Sequence, residues 1–335
     1  MPDSWLRRHT FHYAQFRDLA RLVAVKEEKG MTVSICLPTL NEEKTIAKEL
    51  IILRSELMTR FPLVDEIVVV DSGSTDRTGE VARAFGAAFY RADEILPDLE
   101  KRRGKGENLW KALYITRGDI ICYLDADIKN IHHRFAYGLI GPLILHDGIK
   151  YAKAFYDRPL AVGKNAVRPT GGGRVTELVI RPLFALFFPE LTQILQPLSG
   201  EYAACRQLLE QIPFPIGYGI ETSMILDIWQ RWGLEVMCQV DLEKRVHRNQ
   251  ETKALGKMAF VIMQTFFRRL SRMDHLRLQG EMHHQMIQYR LVGDDYQADR
   301  FTYGGHERPP MIQIPAYREK FHRAAAGVPL PADGV

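Results

Sequence analysis

Cysteine is scarce, and its spacing excludes two kinds of site. Cys36, Cys122, Cys205 and Cys238 are widely separated and form no CxxC pair. Three of them lie in apolar stretches, so all four read as reduced core residues rather than disulfide or zinc partners. No apolar run approaches the ~18 residues that suggest a membrane span. The opening residues, Met1-Pro2-Asp3-Ser4-Trp5-Leu6-Arg7-Arg8, lack the apolar core of a signal peptide. These absences point to a cytoplasmic location. Excess charge is missing too. A formal +4 over 335 residues leaves only scattered basic residues, and nucleic acid is not an expected partner. There is no internal repeat and no low-complexity tract.

What is present suits a globular enzyme. Hydrophobic residues make up 46% and charged residues 26%, enough for a sizeable core. Residues 1–30 form a polar, partly helical lead-in. From 31 to 156, strands alternate with helices. Strands are expected at 32–37, 65–70, 87–90 and 119–124. Helices are expected from about 39 to 60, with Thr39 and Glu42 at capping-box spacing, and over 105–116. This alternation predicts an α/β fold with a mostly parallel sheet covered on both faces. In such sheets ligands bind beyond the carboxyl ends of strands, where Pro38, Asp71 and Asp125 fall. Residues 157–275 are more mixed. They carry a Gly-rich loop before a helix near Arg174, a helix containing Glu221, a strand over 234–240 and a long helix with a wide apolar face over 254–273. The extension 276–335, rich in Pro, Gly and charge after Asp294, is expected to be partly disordered or to lie at a dimer interface.

The chemistry centres on Asp125-Ala126-Asp127, after the apolar run Ile120-Ile121-Cys122-Tyr123-Leu124. On extended backbone, residues i and i+2 face the same way, so two carboxylates can converge on one cation or one ribose. A diphosphate would be repelled by carboxylates alone. Mg²⁺ or Mn²⁺ between them reverses that sign and stabilises the diphosphate as it leaves. Asp71 opens the turn Ser72-Gly73-Ser74-Thr75-Asp76, which permits close approach to a base or ribose or is simply a helix cap. Lys105, in Arg103-Gly104-Lys105-Gly106, can meet a phosphate at a helix N-terminus; the alternative is a flexible surface turn. The spacing is not that of a Walker A loop. Thr170-Gly171-Gly172-Gly173-Arg174-Val175-Thr176 reads as a cradle for a second phosphate-bearing molecule, as a mobile hinge, or as both. Strand alternation would bring Arg245, His247 and Asn249 to one side, with His247 structural or completing a metal site beside a carboxylate.

Taken in order, Pro38-x-Leu40-Asn41-Glu42-Glu43, the Asp71 turn, Gly104-Lys105-Gly106 and Asp125-x-Asp127 resemble the nucleotide-binding half of GT-A-fold glycosyltransferases. The later segments narrow the match. These are Thr170 to Leu178, Gln196-Pro197-Leu198-Ser199-Gly200-Glu201-Tyr202-Ala203, Gly217-Tyr218-Gly219-Ile220-Glu221 and His247-Arg248-Asn249. They resemble the retaining glucosyl-3-phosphoglycerate synthase family and its mannosyl-3-phosphoglycerate synthase relatives. The resemblance spans about residues 30–275.

It implies that Pro38, Leu40, Glu42 and Ser72 hold base and ribose, and that Lys105 approaches the sugar-nucleotide. Asp125 would contact ribose or sugar, while Asp127 and His247 ligate the metal. Gly173, Arg174, Thr176 and Asn249 would take the phosphoglycerate, with Arg245 expected on the same acceptor side. The Leu198 main chain and Glu221 would lie beside the hexose, Glu221 as a stabiliser of positive charge; no nucleophile is assigned. Thr39, flanking the donor contacts, and Ser199 depart from the residues expected there, which bears on the base and sugar rather than the reaction class. The implied reaction joins a nucleoside-diphosphate-hexose, preferably glucose, to 3-phosphoglycerate. Mannosyl transfer from GDP-mannose is the nearest alternative. Transfer to a polyprenyl phosphate at a membrane surface is another, resting on the apolar face of the 254–273 helix. That face more readily forms core or a homodimer contact.

Overall fold

Val33, Ile35 and Leu37 face one side of an extended segment and Cys36 the other, and all four are fully buried. The next strands repeat the pattern, with Ile67 and Val69 against Val68 and Val70, and Ile120 and Cys122 against Ile121 and Tyr123. A strand apolar on both faces must be covered on both faces. Each fully buried aliphatic side chain contributes about 1.5–3 kcal/mol to that burial. The computed structural model describes residues 4–157, 160–162, 166–168, 173–246 and 251–322.

Within these residues the strands are β1 (Thr10–His12), β2 (Val33–Thr39), β3 (Glu66–Asp71), β4 (Ala88–Arg91), β5 (Ile120–Tyr123), β6 (Tyr151–Asp157), β7 (Leu160–Val162), β8 (Ala166–Arg168), β9 (Tyr202–Cys205), β10 (Phe214–Pro215), β11 (Met237–Lys244), β12 (Gln285–Val292), β13 (Asp295–Thr302) and β14 (Glu307–Arg308). Eight make one sheet in the order β4-β3-β2-β5-β9-β6-β11-β1. All its pairings are parallel except those of β9, which runs antiparallel to both β5 and β6. Helices Leu19–Glu28, Ile46–Arg54 and Arg134–Leu145 cover one face, and Lys105–Ile115, Ile220–Trp232 and Thr252–Arg272 the other. The expected doubly covered, mostly parallel sheet is present. The chain moves outward from β2 to β3 and β4 and then returns to place β5 on the other side of β2. That reversal opens a crevice at the carboxyl ends of β2 and β5.

Two local expectations, for Thr39 and for the strand from 234, need correcting, and two others gain detail. Thr39 is not a helix cap: it ends β2, its hydroxyl is held by Asp71, and the helix begins at Ile46 after Thr45. The lead-in supplies a strand, β1, parallel to β11. The strand expected from 234 starts at Met237, because Leu234–Val236 forms a tight 3₁₀ turn, and it runs on to Lys244. The extension is folded over 285–302 as the antiparallel hairpin β12–β13. Beyond it β14 pairs with β10, and Arg308 clamps Glu107 through two hydrogen bonds of 2.7 and 2.8 Å. The extension thereby buttresses the Lys105 helix.

All four cysteines are free thiols. No helix among the described residues is long and apolar enough to cross a membrane. The Thr252–Arg272 helix turns Val261, Ile262, Phe266 and Leu270 into the core, which removes the face the membrane-surface reading needed.

Candidate active site

The crevice walls are stitched together by short polar ties. Thr39 Oγ1 donates to Asp71 Oδ1 at 3.0 Å, and Ser72 N donates to Thr39 O at 3.0 Å. The other Asp71 oxygen accepts from the amides of Gly73 and Ser74 at 2.9 and 2.7 Å. Asp71 therefore builds its own turn and does not offer its carboxylate to a ligand. Asn41, at φ +59°, accepts from Thr75 N at 2.9 Å and donates its own amide to Ser74 Oγ at 2.8 Å. Thr45 Oγ1 reaches both Glu42 Oε2 (3.1 Å) and Ala126 O (2.6 Å), so the Glu42 loop is referenced to the Asp125 segment. Burial raises the Glu42 carboxyl, the Thr45 hydrogen bond opposes this, and Asp127 adds to the rise.

Lys105 enters at the first residue of its helix. The two flanking glycines are sterically required: a Cβ at Gly104 or Gly106 would overlap the carbonyl oxygens of Ile216 and Pro215. Gly106 N donates to Ile216 O at 2.9 Å. Lys105 Nζ lies 2.6 Å from Asp125 Oδ1 and 2.9 Å from Glu221 Oε1. Burial works against its charge, but Asp125 and Glu221 outweigh that and hold the ammonium well above its ordinary range. Asp125 follows β5, and Glu221 sits in the first turn of the Ile220 helix. Gly200 packs so closely on Asp125 that a Cβ there would overlap the carboxylate.

Arg245, expected from the sequence on the acceptor side, is committed to a carboxylate cluster. Its Nη2 lies 3.0 Å from Asp125 Oδ2 and 2.9 Å from Asp127 Oδ1. Its Nε approaches Glu201 Oε1 at 2.9 Å, a charge contact too bent to count as a hydrogen bond. Glu201 is fully buried, and its other oxygen accepts from Tyr156 OH. Burial raises its carboxyl and Arg245 pulls it back down. Behind Asp127, buried Glu49 accepts from Ile128 N at 3.0 Å, and burial raises its carboxyl well above the usual range. Glu49 and Glu201 went unassigned in the sequence because a carboxylate's burial has no local signature.

Oxygens of Asp125 and Asp127 thus converge on one centre of positive charge. Hard oxygen donors converging in this way suit Mg²⁺ or Mn²⁺. His247, the expected second ligand, and Asn249 lie outside the described residues. No group of three or more His, Cys, Asp or Glu side chains arranged for a metal occurs among the described residues.

On the opposite wall, Gly173 (φ +79°) leads into Arg174, whose Nη1 donates to Thr252 Oγ1 at 3.1 Å, and into buried Thr176. The two walls enclose one cavity of about 660 Å³, a usual size for a small-molecule site. Every site residue expected from the sequence lines it, apart from His247 and Asn249. Tyr218, Met258, Phe301 and Tyr303 line it as well. The last two come from the extension, and a period-two strand pattern there could not have shown which residue reaches the cavity.

The glycosyl transferase family 2 model matches residues 34–135. The glucosyl-3-phosphoglycerate synthase of Petrotoga mobilis is 49% identical over 323 residues, 96% of this chain and 99% of that one. Two solved structures are similar throughout. Mannosyl-3-phosphoglycerate synthase from Rubrobacter xylanophilus matches with a TM-score of 0.83 and 35% identity, covering 92% of this chain and 96% of its own. Glucosyl-3-phosphoglycerate synthase from Mycobacterium tuberculosis, in complex with Mn²⁺, uridine diphosphate and phosphoglyceric acid, matches with a TM-score of 0.76 and 41% identity, covering 88% and 94%.

Proposed function

The chain belongs to the glucosyl-3-phosphoglycerate synthase family, and we propose on that premise that it moves glucose from UDP-glucose to the 2-hydroxyl of 3-phosphoglycerate. The fold is GT-A and the protein is a glycosyltransferase. One observation carries the reading: a single cavity holds both the strand-end carboxylates Asp125 and Asp127 and the helix start bearing Gly173, Arg174 and Thr176. The donor has one wall and the acceptor the other.

Pro38, Leu40, Glu42 and Ser72 take the base and ribose. Lys105 meets the sugar-nucleotide, and its two ion pairs keep it charged and aimed. Arg174 offers a planar fork to the acceptor's phosphate or carboxylate, and Thr176 adds a hydroxyl donor. A divalent cation held by Asp127 with His247 supplies Lewis-acid stabilisation of the departing diphosphate. Glu221, neutralised in part by Lys105, stabilises positive charge at the anomeric carbon instead of attacking it. The acceptor oxygen bonds to that carbon on the face the diphosphate leaves, and its proton passes to the diphosphate, which retains configuration. Positioning and electrostatics then supply most of the acceleration. Arg245 keeps the two aspartates from repelling each other.

The protein acts in the cytoplasm, a reading supported by its four free thiols. It works as a homodimer, supported by the exposed apolar face of the hairpin at Ile287, Tyr289, Leu291 and Tyr296.

The test is a matrix of UDP-glucose, GDP-glucose and GDP-mannose against 3-phosphoglycerate and a polyprenyl phosphate, with and without chelator. Fastest turnover with UDP-glucose and 3-phosphoglycerate, abolished by chelator and restored by Mg²⁺ or Mn²⁺, is expected. Preference for GDP-mannose, or for the lipid acceptor, would overturn the assignment.

A further inference from the structure

Below the cavity floor stands a lysine that the transfer chemistry does not use. Lys153 lies on β6, opposite Tyr202 of β9, and is 2% exposed. Its Nζ donates to Ser199 O at 2.6 Å and sits 4.6 Å from the centre of the Tyr202 ring. No carboxylate forms an ion pair with it among the described residues. A buried ammonium without a paired charge is costly, so a purely structural role would be served better by an apolar side chain.

What Lys153 holds is the turn over residues 196–200. β6 grips this turn at three points. Lys153 binds Ser199 O, Ala154 O accepts from Ser199 Oγ at 2.6 Å, and Tyr156 O accepts from Gln196 Nε2. The turn brings Leu198 and Gly200 to the cavity lining. Gly200 abuts the Asp125 carboxylate, and the next residue, Glu201, contacts Arg245. The height of this turn therefore sets the distance between the cavity floor and Asp125, and it sets the register of the Arg245 cluster.

We infer that Lys153 is a positioning residue of the transfer site, holding the 196–200 turn so that the Leu198 main chain and Gly200 keep their place beside Asp125. The inference rests on the glucosyl-transfer reading. The groups electrostatically coupled to the lysine are Glu221 on the Ile220 helix, Lys105 on its own helix, Glu201 before β9 and Asp125 after β5. Burial pulls the Lys153 ammonium down to about 7, Glu221 opposes this and Lys105 reinforces it.

The test compares Lys153→Met, which keeps the bulk and removes the donor, with Ser199→Ala, which removes the second grip. In Lys153→Met, kcat should fall roughly 100-fold, the effect of a reacting group displaced by about 1 Å. The KM values for UDP-glucose and 3-phosphoglycerate should stay within about twofold. Ser199→Ala should lower kcat less, and the double variant should be no worse than Lys153→Met, because both act on one turn. An unchanged kcat per folded molecule in both single variants would overturn the inference. If Lys153→Met does not fold, Ser199→Ala decides alone by the same criterion. If the wild-type protein itself transfers no glucose, the proposed function fails separately. The inference is then judged on crystal structures of wild type and Lys153→Met, and an unmoved 196–200 turn overturns it.

Discussion

The donor wall of the cavity is made of strand ends and turns tied through backbone groups, whereas the acceptor wall is the start of a helix that reaches across through one long side chain, Arg174. On the donor side, Asp71 accepts from two backbone amides and Thr39 O from a third, while Gly106 N is fixed on Ile216 O. On the acceptor side, Arg174 reaches Thr252 from a helix start that follows a glycine of positive φ. Backbone ties to a buried sheet leave little freedom, and they pre-organise what binds there. A guanidinium on a flexible stem can re-aim as ligand arrives. The difference teaches where substitutions should act: on the rate when the donor wall is disturbed, and on acceptor affinity when the acceptor wall is.

The strongest break is Asp127→Ala. Removing the proposed metal ligand should cut turnover by ~1,000-fold or more, the several kcal/mol a catalytic cation contributes, while the fold survives. Near-normal turnover in a folded Asp127→Ala protein would sink the metal site. Next comes a pair of glycines, one from each wall. Gly106→Ala forces a Cβ into the Pro215 carbonyl and should lower kcat by about 100-fold, with a stability loss of about 1–3 kcal/mol. Gly173→Ala meets nothing closer than Thr176 at 4.0 Å. Its cost is the strained φ, about 1–2 kcal/mol, felt in the acceptor KM and not in the donor KM. Equal kinetic effects from the two would erase the contrast between the walls.

Arg174→Ala should raise the KM for 3-phosphoglycerate about 30-fold, near 2 kcal/mol, with the UDP-glucose KM unchanged. An unchanged acceptor KM would reject its role. A further test that leaves the kinetics aside is a pH dependence of stability. Lys153 titrates near 7 in the folded protein and near its ordinary ~10.4 when unfolded. Between those values the unfolded chain binds the extra proton, so this lysine makes stability rise with pH by up to about 1.4 kcal/mol per unit. Melting temperatures of wild type and Lys153→Met should therefore converge from pH 7 towards pH 10, with the variant the more stable at pH 7. Parallel curves would show that the buried charge carries no such cost.

Much of the donor wall was legible because its signals are local. A buried strand followed by Asp125 and Asp127, and a glycine-flanked Lys105 at a helix start, each occupy a few consecutive residues. The misplacement of Thr39 shows the limit. Thr39 and Glu42 have the spacing of a capping box, but the Thr39 hydroxyl is taken by Asp71, 32 residues away in sequence. A tertiary hydrogen bond overrode the local one. Lys153 and Glu201 were illegible for the same reason: each looks like a surface charge until the strands on either side are known.

By itself, the sequence determined the kind of elements and the chemical groups each would carry. Alternating apolar residues demand strands covered on both faces, and short polar motifs at strand ends demand a site there. Tertiary structure alone decided which of those groups meet. Asp125 and Arg245 lie 120 residues apart in the chain and 3.0 Å apart in space. That meeting depends on β9 entering antiparallel between β5 and β6, and on β11 pairing with β6. Strand propensity depends on the residues of one segment, whereas strand neighbours depend on how every face of the sheet is buried at once.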